Sequence, residues 1–181
     1  MNEALVVVAE GTESLEAVTI INVLRRAGAS VTVASLGESL TVAGTRGIAL
    51  IADCLFSAVA QGTYQLIALP GGEAGAARLA ADSSLIGMLN EQRKAHRWIA
   101  AICAAPALVL ARHGLLDGKQ ATGYPALRDQ LLHYVNLPVV VDGHTITGQG
   151  PASAMAFALM CAEKLCGDQK RREVAEALLA V

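Results

Sequence analysis

Short hydrophobic runs alternate with amphipathic segments and turn signals along the whole chain, a rhythm typical of a parallel sheet with crossover helices. Ala4–Ala9 predicts the first strand, and Ser14–Ala27 predicts a helix that stops at Gly28. The further predictions are strands at Val31–Ser35, Tyr64–Leu69, Trp98–Ile102, near Gln120–Thr122, at Val139–Val141 and Thr145–Thr147, a hairpin at Thr41–Val42 and Ile48–Ala52, and helices through Leu79, Leu85, Ile86 and Leu89, at Pro106–Ala111, near Ala126–Leu132, from Ala152 to about Leu165, and at Gln169–Leu179.

The composition agrees with an α/β class. Of 181 residues, 54% are hydrophobic and only 3% aromatic, which suits aliphatic helices packed on both faces of a buried sheet. No linker, repeat or low-complexity segment divides the chain, so we predict one domain over residues 1–181.

Charge and cysteine content exclude several classes. The net charge is -2, and the only sustained basic run is Lys170–Arg172, so neither nucleic acid nor an anionic membrane is an expected partner. A small carbonyl compound or another polar substrate fits better. The amino terminus lacks the pattern of a signal peptide, and no segment has membrane-spanning length. The cysteines form no C-x-x-C or zinc pattern, which predicts a cytoplasmic chain with free thiols and no metal or cofactor.

The sharpest transition is at Cys103, where the predicted strand Trp98–Ile102 passes directly into a helix. A nucleophile elbow needs small residues two places either side, and Ala101 and Ala105 supply them. The helix amino terminus would aim free N–H groups at the sulfur and lower its pKa. A small buried core cysteine fits the elbow pattern equally well.

A second feature, Leu69–Pro70–Gly71–Gly72, directly follows a predicted core strand. Consecutive glycines there let backbone N–H groups face an oxyanion, and ligands of open α/β sheets bind at such strand ends. Taken alone, a plain tight turn explains these glycines better.

The third feature is the acidic loop Glu10–Glu16, which joins the first strand to the first helix. Glu13 fits ordinary capping of the helix start. Glu16 lies where it can point across the sheet edge toward the sulfur, and a carboxyl beside a thiolate is driven toward its protonated form.

No histidine forms an obvious dyad with Cys103. His96, His113, His133 and His144 fall in predicted loops or helix ends, and only an approach by His113 stays open.

Several of these motifs occur together in the order of a known group. The runs AAICAAP, LPGG and E-G-x-E-x-x-E, with RRAG, TRG and GQGPAS, resemble the ThiJ/PfpI superfamily, the parkinsonism-associated protein deglycase family. Within it, the chain is most similar to the bacterial YajL/ThiJ-like branch. The resemblance spans nearly the whole chain and implies a flavodoxin-like fold, with helices on both faces of a mostly parallel sheet.

The resemblance also implies roles for particular residues. Cys103 would be the nucleophile, Glu16 a protonated carboxyl bonded to it, and the backbone N–H groups of Gly72 and Ala104, beside Gly71, the oxyanion site. The family typically forms a homodimer through the first helix. The other pocket residues that it implies are Arg26, Arg46, Tyr124 and Pro151.

One departure concerns Tyr124–Pro125, where several relatives have histidine before a proline. A phenol is neutral at pH 7, so Tyr124 does not replace an imidazole in proton transfer. This departure weakens a Cys-His hydrolase and leaves Glu16 as the better proton carrier.

The expected function is therefore that of a cofactor-free glyoxalase III-type lyase or protein deglycase. It would act on glyoxal, methylglyoxal or their adducts in defence against carbonyl and oxidative stress. The alternative is a redox sensor or stress chaperone, in which Cys103 is oxidised to sulfinic acid. Thiazole monophosphate biosynthesis lacks a phosphate motif, and amidase or protease activity lacks its histidine.

Overall fold

A computed structural model describes residues 2–180, and a central β-sheet organises the chain. Seven strands form this sheet in the order β5–β2–β1–β6–β7–β9–β8, and every neighbouring pair is parallel except β8 and β9. The remaining two strands, β3 and β4, form a separate antiparallel hairpin. The bounds are β1 (Glu3–Val8), β2 (Ser30–Ser35), β3 (Thr41–Ala43), β4 (Ala49–Ile51), β5 (Cys54–Leu55), β6 (Leu66–Leu69), β7 (Trp98–Ile102), β8 (Val139–Asp142) and β9 (Thr145–Gly148).

Helices cover both faces of the sheet. They are α1 (Ser14–Arg26), α2 (Glu73–Ala81), α3 (Ser83–Lys94), α4 (Ala154–Cys166) and α5 (Asp168–Ala177). A short helix of π-type, Pro106–Ala111, follows β7 and is called the elbow helix below. Three-residue to six-residue turns of 3₁₀ type cover Thr45–Gly47, Phe56–Ala58, Pro125–Gln130 and Pro151–Ser153.

The alternation of side chains along β1 explains the two layers. Val6 and Val8 face a core built with α1, α4 and α5, whereas Leu5 and Val7 face a core built with α2, α3 and the elbow helix. All four side chains are fully buried. A strand covered on both faces reads as a continuous apolar run, which is the pattern of Ala4–Ala9.

The structure confirms the α/β prediction, the hairpin and most element bounds to within a residue or two. It also confirms helix α1, which ends beside Gly28 at a φ of +84°. Within residues 2–180, no helix combines the length and apolar character needed to cross a membrane.

Three predictions of secondary structure were wrong in detail. The single helical stretch through Leu79 and Leu89 is two helices, because Asp82 is extended and its carboxylate accepts the Leu85 N–H at 2.8 Å, starting α3 afresh. The strand near Gln120–Thr122 is reduced to one bridge, from Ala121 to Tyr134. The helix near Ala126–Leu132 is the 3₁₀ turn Pro125–Gln130. The two-residue strand β5 was missed.

The loop between β1 and α1 packs closely against α2, and this contact sets the edge of the candidate site. A Cβ atom at Gly75 of α2 would lie 2.7 Å from the backbone nitrogen of Thr12 and 2.8 Å from its Cα. The overlapping atoms belong to the Thr12 backbone, so no flexible side chain could move aside to make room for the added Cβ. The absence of a side chain at Gly75 therefore lets α2 approach the loop that precedes Glu16.

We expect Gly75→Ala to destabilise the protein by about 1–3 kcal/mol, although alanine favours helices, because the added methyl group overlaps the Thr12 backbone. Gly87→Ala in α3 is the matched control, since a Cβ there meets nothing within 4 Å. The control should gain about 0.5–1 kcal/mol. Urea unfolding measures both, and equal stabilisation by the two substitutions would disprove the close contact.

Candidate active site

The backbone at Cys103 has the conformation of a nucleophile elbow. Cys103 directly follows β7 and has a φ of +65°, a left-handed conformation that costs a non-glycine residue about 1–2 kcal/mol. Its N–H donates to the Gly148 carbonyl at 3.0 Å, and its own carbonyl accepts the Tyr124 N–H at 2.7 Å. Hydrogen bonds on both sides therefore hold the sulfur-bearing residue in its strained position, as the strand-to-helix pattern predicted.

Glu16 reaches this site from the first turn of α1. Its side chain is fully buried, and Oε2 accepts the Gly71 N–H at 2.7 Å. Oε1 is also buried and accepts no hydrogen bond from an N–H or O–H group of the described residues, so it is available to carry a proton. The Cys103 thiol lies within hydrogen-bonding range of this carboxyl.

The two glycines after β6 have different roles. The N–H of Gly71 donates a hydrogen bond to the Glu16 carboxyl. The N–H of Gly72 instead faces the Cys103 sulfur, as does the N–H of Ala104. A Cβ at Gly71 would lie 2.5 Å from the Cys103 Cβ and 2.7 Å from the carboxyl oxygen Oε2. Of the residues expected around an oxyanion, Gly72 and Ala104 direct N–H groups at the sulfur, and Gly71 orients the carboxyl instead.

Burial and charge determine the protonation of this pair. Burial raises the pKa of Glu16 to about 7, against the opposing effect of the Gly71 hydrogen bond. Burial, followed by the negative charge of Glu16, raises the pKa of Cys103 to about 12, although the N–H groups of Gly72 and Ala104 oppose this. The pair therefore releases its first proton near pH 7 and its second only in strong alkali.

These pKa directions agree with the expectations only in part. The pKa of Glu16 is raised as expected, but the cause is burial, and the hydrogen bond with Cys103 lowers it. The Ala104 N–H at the start of the elbow helix lowers the pKa of Cys103 as expected, but burial and the carboxylate outweigh it, so the net shift is upward. Thiolate forms at neutral pH only when the proton moves to Glu16.

An open cleft of about 400 Å³ lies along the same edge of the sheet. Tyr124 lines the cleft and connects it to the elbow, because the Tyr124 N–H donates to the Cys103 carbonyl. The Tyr124 side chain is 47% exposed. Pro151 also lines the cleft, and none of the lining residues carries a charge at neutral pH. The cleft therefore brings together two of the expected pocket residues, Tyr124 and Pro151.

Of the two arginines predicted near the pocket, Arg26 lies elsewhere, whereas the placement of Arg46 near the pocket stays a prediction. Arg26 is at the last turn of α1, about 15 Å along the helix from Glu16, and its Nε donates to Asn22 at 2.7 Å. The expectation for Arg26 was wrong within this chain, because its position at the opposite end of a rigid helix keeps it away from Cys103. Arg46 is exposed on the turn between β3 and β4, with a φ of +60°, and makes no polar contact with the described residues.

Among residues 2–180, no imidazole is bonded to Cys103. His113 forms a hydrogen bond with the Ala80 carbonyl at 2.9 Å, and the His144 ring makes tilted contacts with His96 and Trp98 at the amino ends of the strands. The open question about His113 is thereby answered against a dyad. Among the described residues, no group of three or more His, Cys, Asp or Glu side chains is arranged to hold a metal.

Two supporting residues were missed from the sequence. Gly148 accepts the Cys103 N–H, and buried Thr12 accepts the Ala9 N–H at 3.0 Å, which shapes the loop before Glu16. The motifs GQGPAS and E-G-T contain both residues, but the Gly148 contact is made by a backbone carbonyl, which leaves no signal in residue type, and the Thr12 hydroxyl bonds to the backbone of its own loop. The bond from Cys103 to Gly148 depends on the pairing of β7 with β9, which the sequence pattern does not specify.

The fold and the site together define a class: an α/β protein with a buried cysteine at a nucleophile elbow and a carboxyl partner. The DJ-1/PfpI family model matches residues 2–164. The chain belongs to the DJ-1/PfpI family, as its motifs indicated. The finer assignment to the YajL/ThiJ-like branch stays a prediction.

Relatives from distant organisms share this architecture. Protein DJ-1 homolog B of Arabidopsis thaliana is 44% identical over 98% of this chain, which spans only 41% of that protein's length. The structure of oxidized Toxoplasma gondii DJ-1 is 43% identical, with a TM-score of 0.96 over 98% of this chain and 97% of that one. The glutathione-independent glyoxalase DJ-1 of Schizosaccharomyces pombe is 29% identical over 94% of this chain and 95% of its own.

The shared proton predicts how Cys103 reactivity depends on pH. The rate of alkylation by iodoacetamide should rise with a midpoint near pH 7, where the pair first ionises. In Glu16→Gln no carboxylate can take the thiol proton, and burial should move the midpoint above the ordinary thiol value of about 8.5. Mass spectrometry of the Cys103 peptide measures both profiles.

Glu16→Asp is the matched control for that experiment, since it keeps a carboxyl on a shorter side chain. Its midpoint should fall between those of the wild type and the glutamine variant. Superimposable profiles for wild type and Glu16→Gln would refute the shared proton.

Proposed function

We propose that the protein is a cofactor-free glyoxalase or protein deglycase that acts through Cys103 on methylglyoxal, glyoxal or their adducts. The observation that carries this proposal is the shared, buried position of the Cys103 thiol and the Glu16 carboxyl, with two backbone N–H groups facing the sulfur. A nucleophile, a proton carrier and an oxyanion site are the three components that addition to a carbonyl needs.

In the first step the sulfur adds to the aldehyde carbon of methylglyoxal. Glu16 accepts the thiol proton, the C=O π bond breaks, and the resulting oxyanion is held by the N–H groups of Gly72 and Ala104. Protonation of that oxygen gives a hemithioacetal. With an adduct on an amine or thiol, the same attack displaces the amine or thiol and leaves the carbonyl fragment on Cys103.

In the second step Glu16 removes the proton from the carbon that carries sulfur, and a proton returns to the neighbouring carbonyl carbon. The hydroxyl proton of the first carbon moves to the oxygen of the second. The first carbon is thereby oxidised to a thioester and the second reduced to an alcohol. Water then cleaves the thioester, releasing lactate and the free thiol. The oxidation and reduction occur within one molecule, so the net reaction adds only water and needs no external redox partner.

Three further observations support the proposal. The relative from Schizosaccharomyces pombe carries the name glutathione-independent glyoxalase. The uncharged cleft beginning at Tyr124 suits a neutral carbonyl compound, and the phenol can donate a hydrogen bond to a substrate oxygen. The four cysteines are free thiols, which fits the reducing cytoplasm.

We also infer that two copies associate through α1. Leu15 and Val18 on this helix are 52% and 48% exposed, and Ile48 beside the hairpin is 50% exposed. Neighbouring apolar side chains in water favour burial by a partner. A second copy would cover this face and would bring its own residues toward the site.

Cys103→Ser should lower turnover of methylglyoxal by at least about 100-fold, because a serine hydroxyl beside Glu16 is a much weaker nucleophile. Cys54→Ser is the control, since Cys54 lies on the edge strand β5 and should keep wild-type turnover. Lactate formation is the measurement. Wild-type turnover by Cys103→Ser would exclude the proposal.

A second function is favoured by the same chemistry. The solved Toxoplasma gondii relative is described as oxidized, and the oxygens of a sulfinate on Cys103 would accept hydrogen bonds from the N–H groups of Gly72 and Ala104. Protonated Glu16 would add a third donor. Such a site suits a redox sensor or stress chaperone as well as an enzyme.

Mild peroxide should convert Cys103 to sulfinic acid before the other cysteines react. Cys161 is fully buried and its pKa is raised by that burial, so it should stay reduced. Peptide mass spectrometry reads each site separately, with Glu16→Gln as the comparison that should slow the reaction at Cys103. Even oxidation of Cys54, Cys103 and Cys166 would argue against a sensor.

A further inference from the structure

A second concave site lies at the opposite edge of the sheet from Cys103. This basic groove has a volume of about 550 Å³ and is lined by Arg93, Lys94, His96, Arg97, Lys119 and His144, among others. Arg97 precedes β7 and His144 precedes β9, so the groove faces the amino ends of these parallel strands. The active-site residues follow the carboxyl ends, and the two sites share no residue.

The cationic groups of the groove come from separate parts of the chain and are held in place. Arg93 at the end of α3 donates to the Gly114 carbonyl at 2.7 Å. Lys119 donates to the Asp142 carbonyl at 3.2 Å, linking a loop to the β8–β9 turn. Each group uses one donor in this way and keeps others for a ligand.

A buried amide orients Arg97. Gln92 is only 1% exposed, and its Nε2 donates to the Tyr64 and Trp98 carbonyls at 2.9 and 3.1 Å. Its Oε1 then accepts the Arg97 Nε at 2.8 Å. The guanidinium is thereby fixed by one edge, while its two terminal nitrogens make no hydrogen bond to the described residues.

The backbone at His96 supplies an independent observation. His96 follows the end of α3 with a φ of +52°, in the conformation where glycine is usual after a helix. A histidine there is strained, and strain of this kind concentrates at functional positions. The ring lies 5.7 Å from that of His144, so both imidazoles border the groove.

The groove is positive overall despite two carboxylates. Its four arginine and lysine side chains face Asp117 and Asp142. Asp142 already accepts the Gln120 N–H at 2.9 Å, so part of its acceptor capacity is used. Lys94 also pairs with Glu91 at 2.7 Å, so one positive charge remains in excess of the three carboxylates, in a protein whose net charge is -2.

We propose that the basic groove binds a small anion with two linked phosphate groups. Arginine forks and lysine point charges suit phosphate oxygens, and two linked phosphates offer enough oxygens to accept from Arg93, Arg97 and Lys119, which come from separate parts of the chain. The diphosphate comes either from free pyrophosphate or from a nucleoside diphosphate. This site is independent of the reaction proposed at Cys103.

Calorimetric titration of the full chain without divalent cations, at fixed low salt, tests the proposal. Pyrophosphate should bind at least about 10-fold more tightly than orthophosphate, because its two linked phosphates accept hydrogen bonds from more of the arginine and lysine donors. ADP forms the third arm: tighter binding than pyrophosphate identifies a nucleotide as the source, and equal or weaker binding identifies the free diphosphate. Equal affinities for pyrophosphate and orthophosphate would overturn the proposal.

Arg97→Gln combined with Lys119→Gln should weaken pyrophosphate binding by about 30-fold. Lys170→Gln with Arg172→Gln on α5 removes the same charge outside the groove and should leave the affinity unchanged. Methylglyoxal turnover should be unaffected in both proteins. Unchanged binding in the groove variant, or an equal loss in the α5 variant, would show that only general charge attracts the anion.

His96→Gly provides a second readout that does not depend on the arginine or lysine. Glycine relieves the backbone strain, so the melting temperature should rise by about 2–4 °C. Loss of the imidazole should at the same time weaken pyrophosphate binding several-fold. A stabilised variant with wild-type affinity would show that the His96 side chain does not bind the anion and that its strained backbone has no role in binding.

Discussion

The buried carboxyl of Glu16 beside the Cys103 thiol is the constraint on which the rest of the site depends. Taking a carboxylate out of water is costly, and the hydrogen bonds from Gly71 and Cys103 offset only part of that cost. Burial therefore raises the pKa of Glu16, so that near neutral pH a proton remains shared between the Glu16 carboxyl and the Cys103 thiol. A buried acid and a buried thiol thus become each other's proton donor and acceptor, a property that neither has when exposed.

The parallel sheet explains why these groups meet. The strands β1, β6 and β7 lie next to one another, and their carboxyl ends release the chain at the same edge. Cys103 and Gly72 follow the ends of β7 and β6 within three residues, and Glu16 lies in the first turn of the helix that follows β1. Close approach is possible because Gly71 has no side chain, since any Cβ there would collide with the cysteine and the carboxyl.

Much of this arrangement could be predicted from the sequence, since hydrophobic runs, glycine pairs and the elbow pattern are local signals. Such patterns could not reveal the net effect of burial on Cys103, because a pKa depends on everything packed around the thiol. The position of Arg26 was equally hidden, since a motif does not say which end of a helix faces the pocket. The residues of the basic groove form no continuous run of charge in the sequence, because Arg97 and Lys119 come together only after folding.

The left-handed backbone at Cys103 has a consequence for the energy balance of the whole molecule. Two hydrogen bonds, to Gly148 and from Tyr124, keep the residue in a conformation that glycine would adopt without penalty. Folding therefore supplies the orientation of the sulfur in advance, so little reorganisation remains for the moment of reaction. The protein gives up some thermodynamic stability at this one position to keep a nucleophile there, and any more stable residue at that turn would leave it inert.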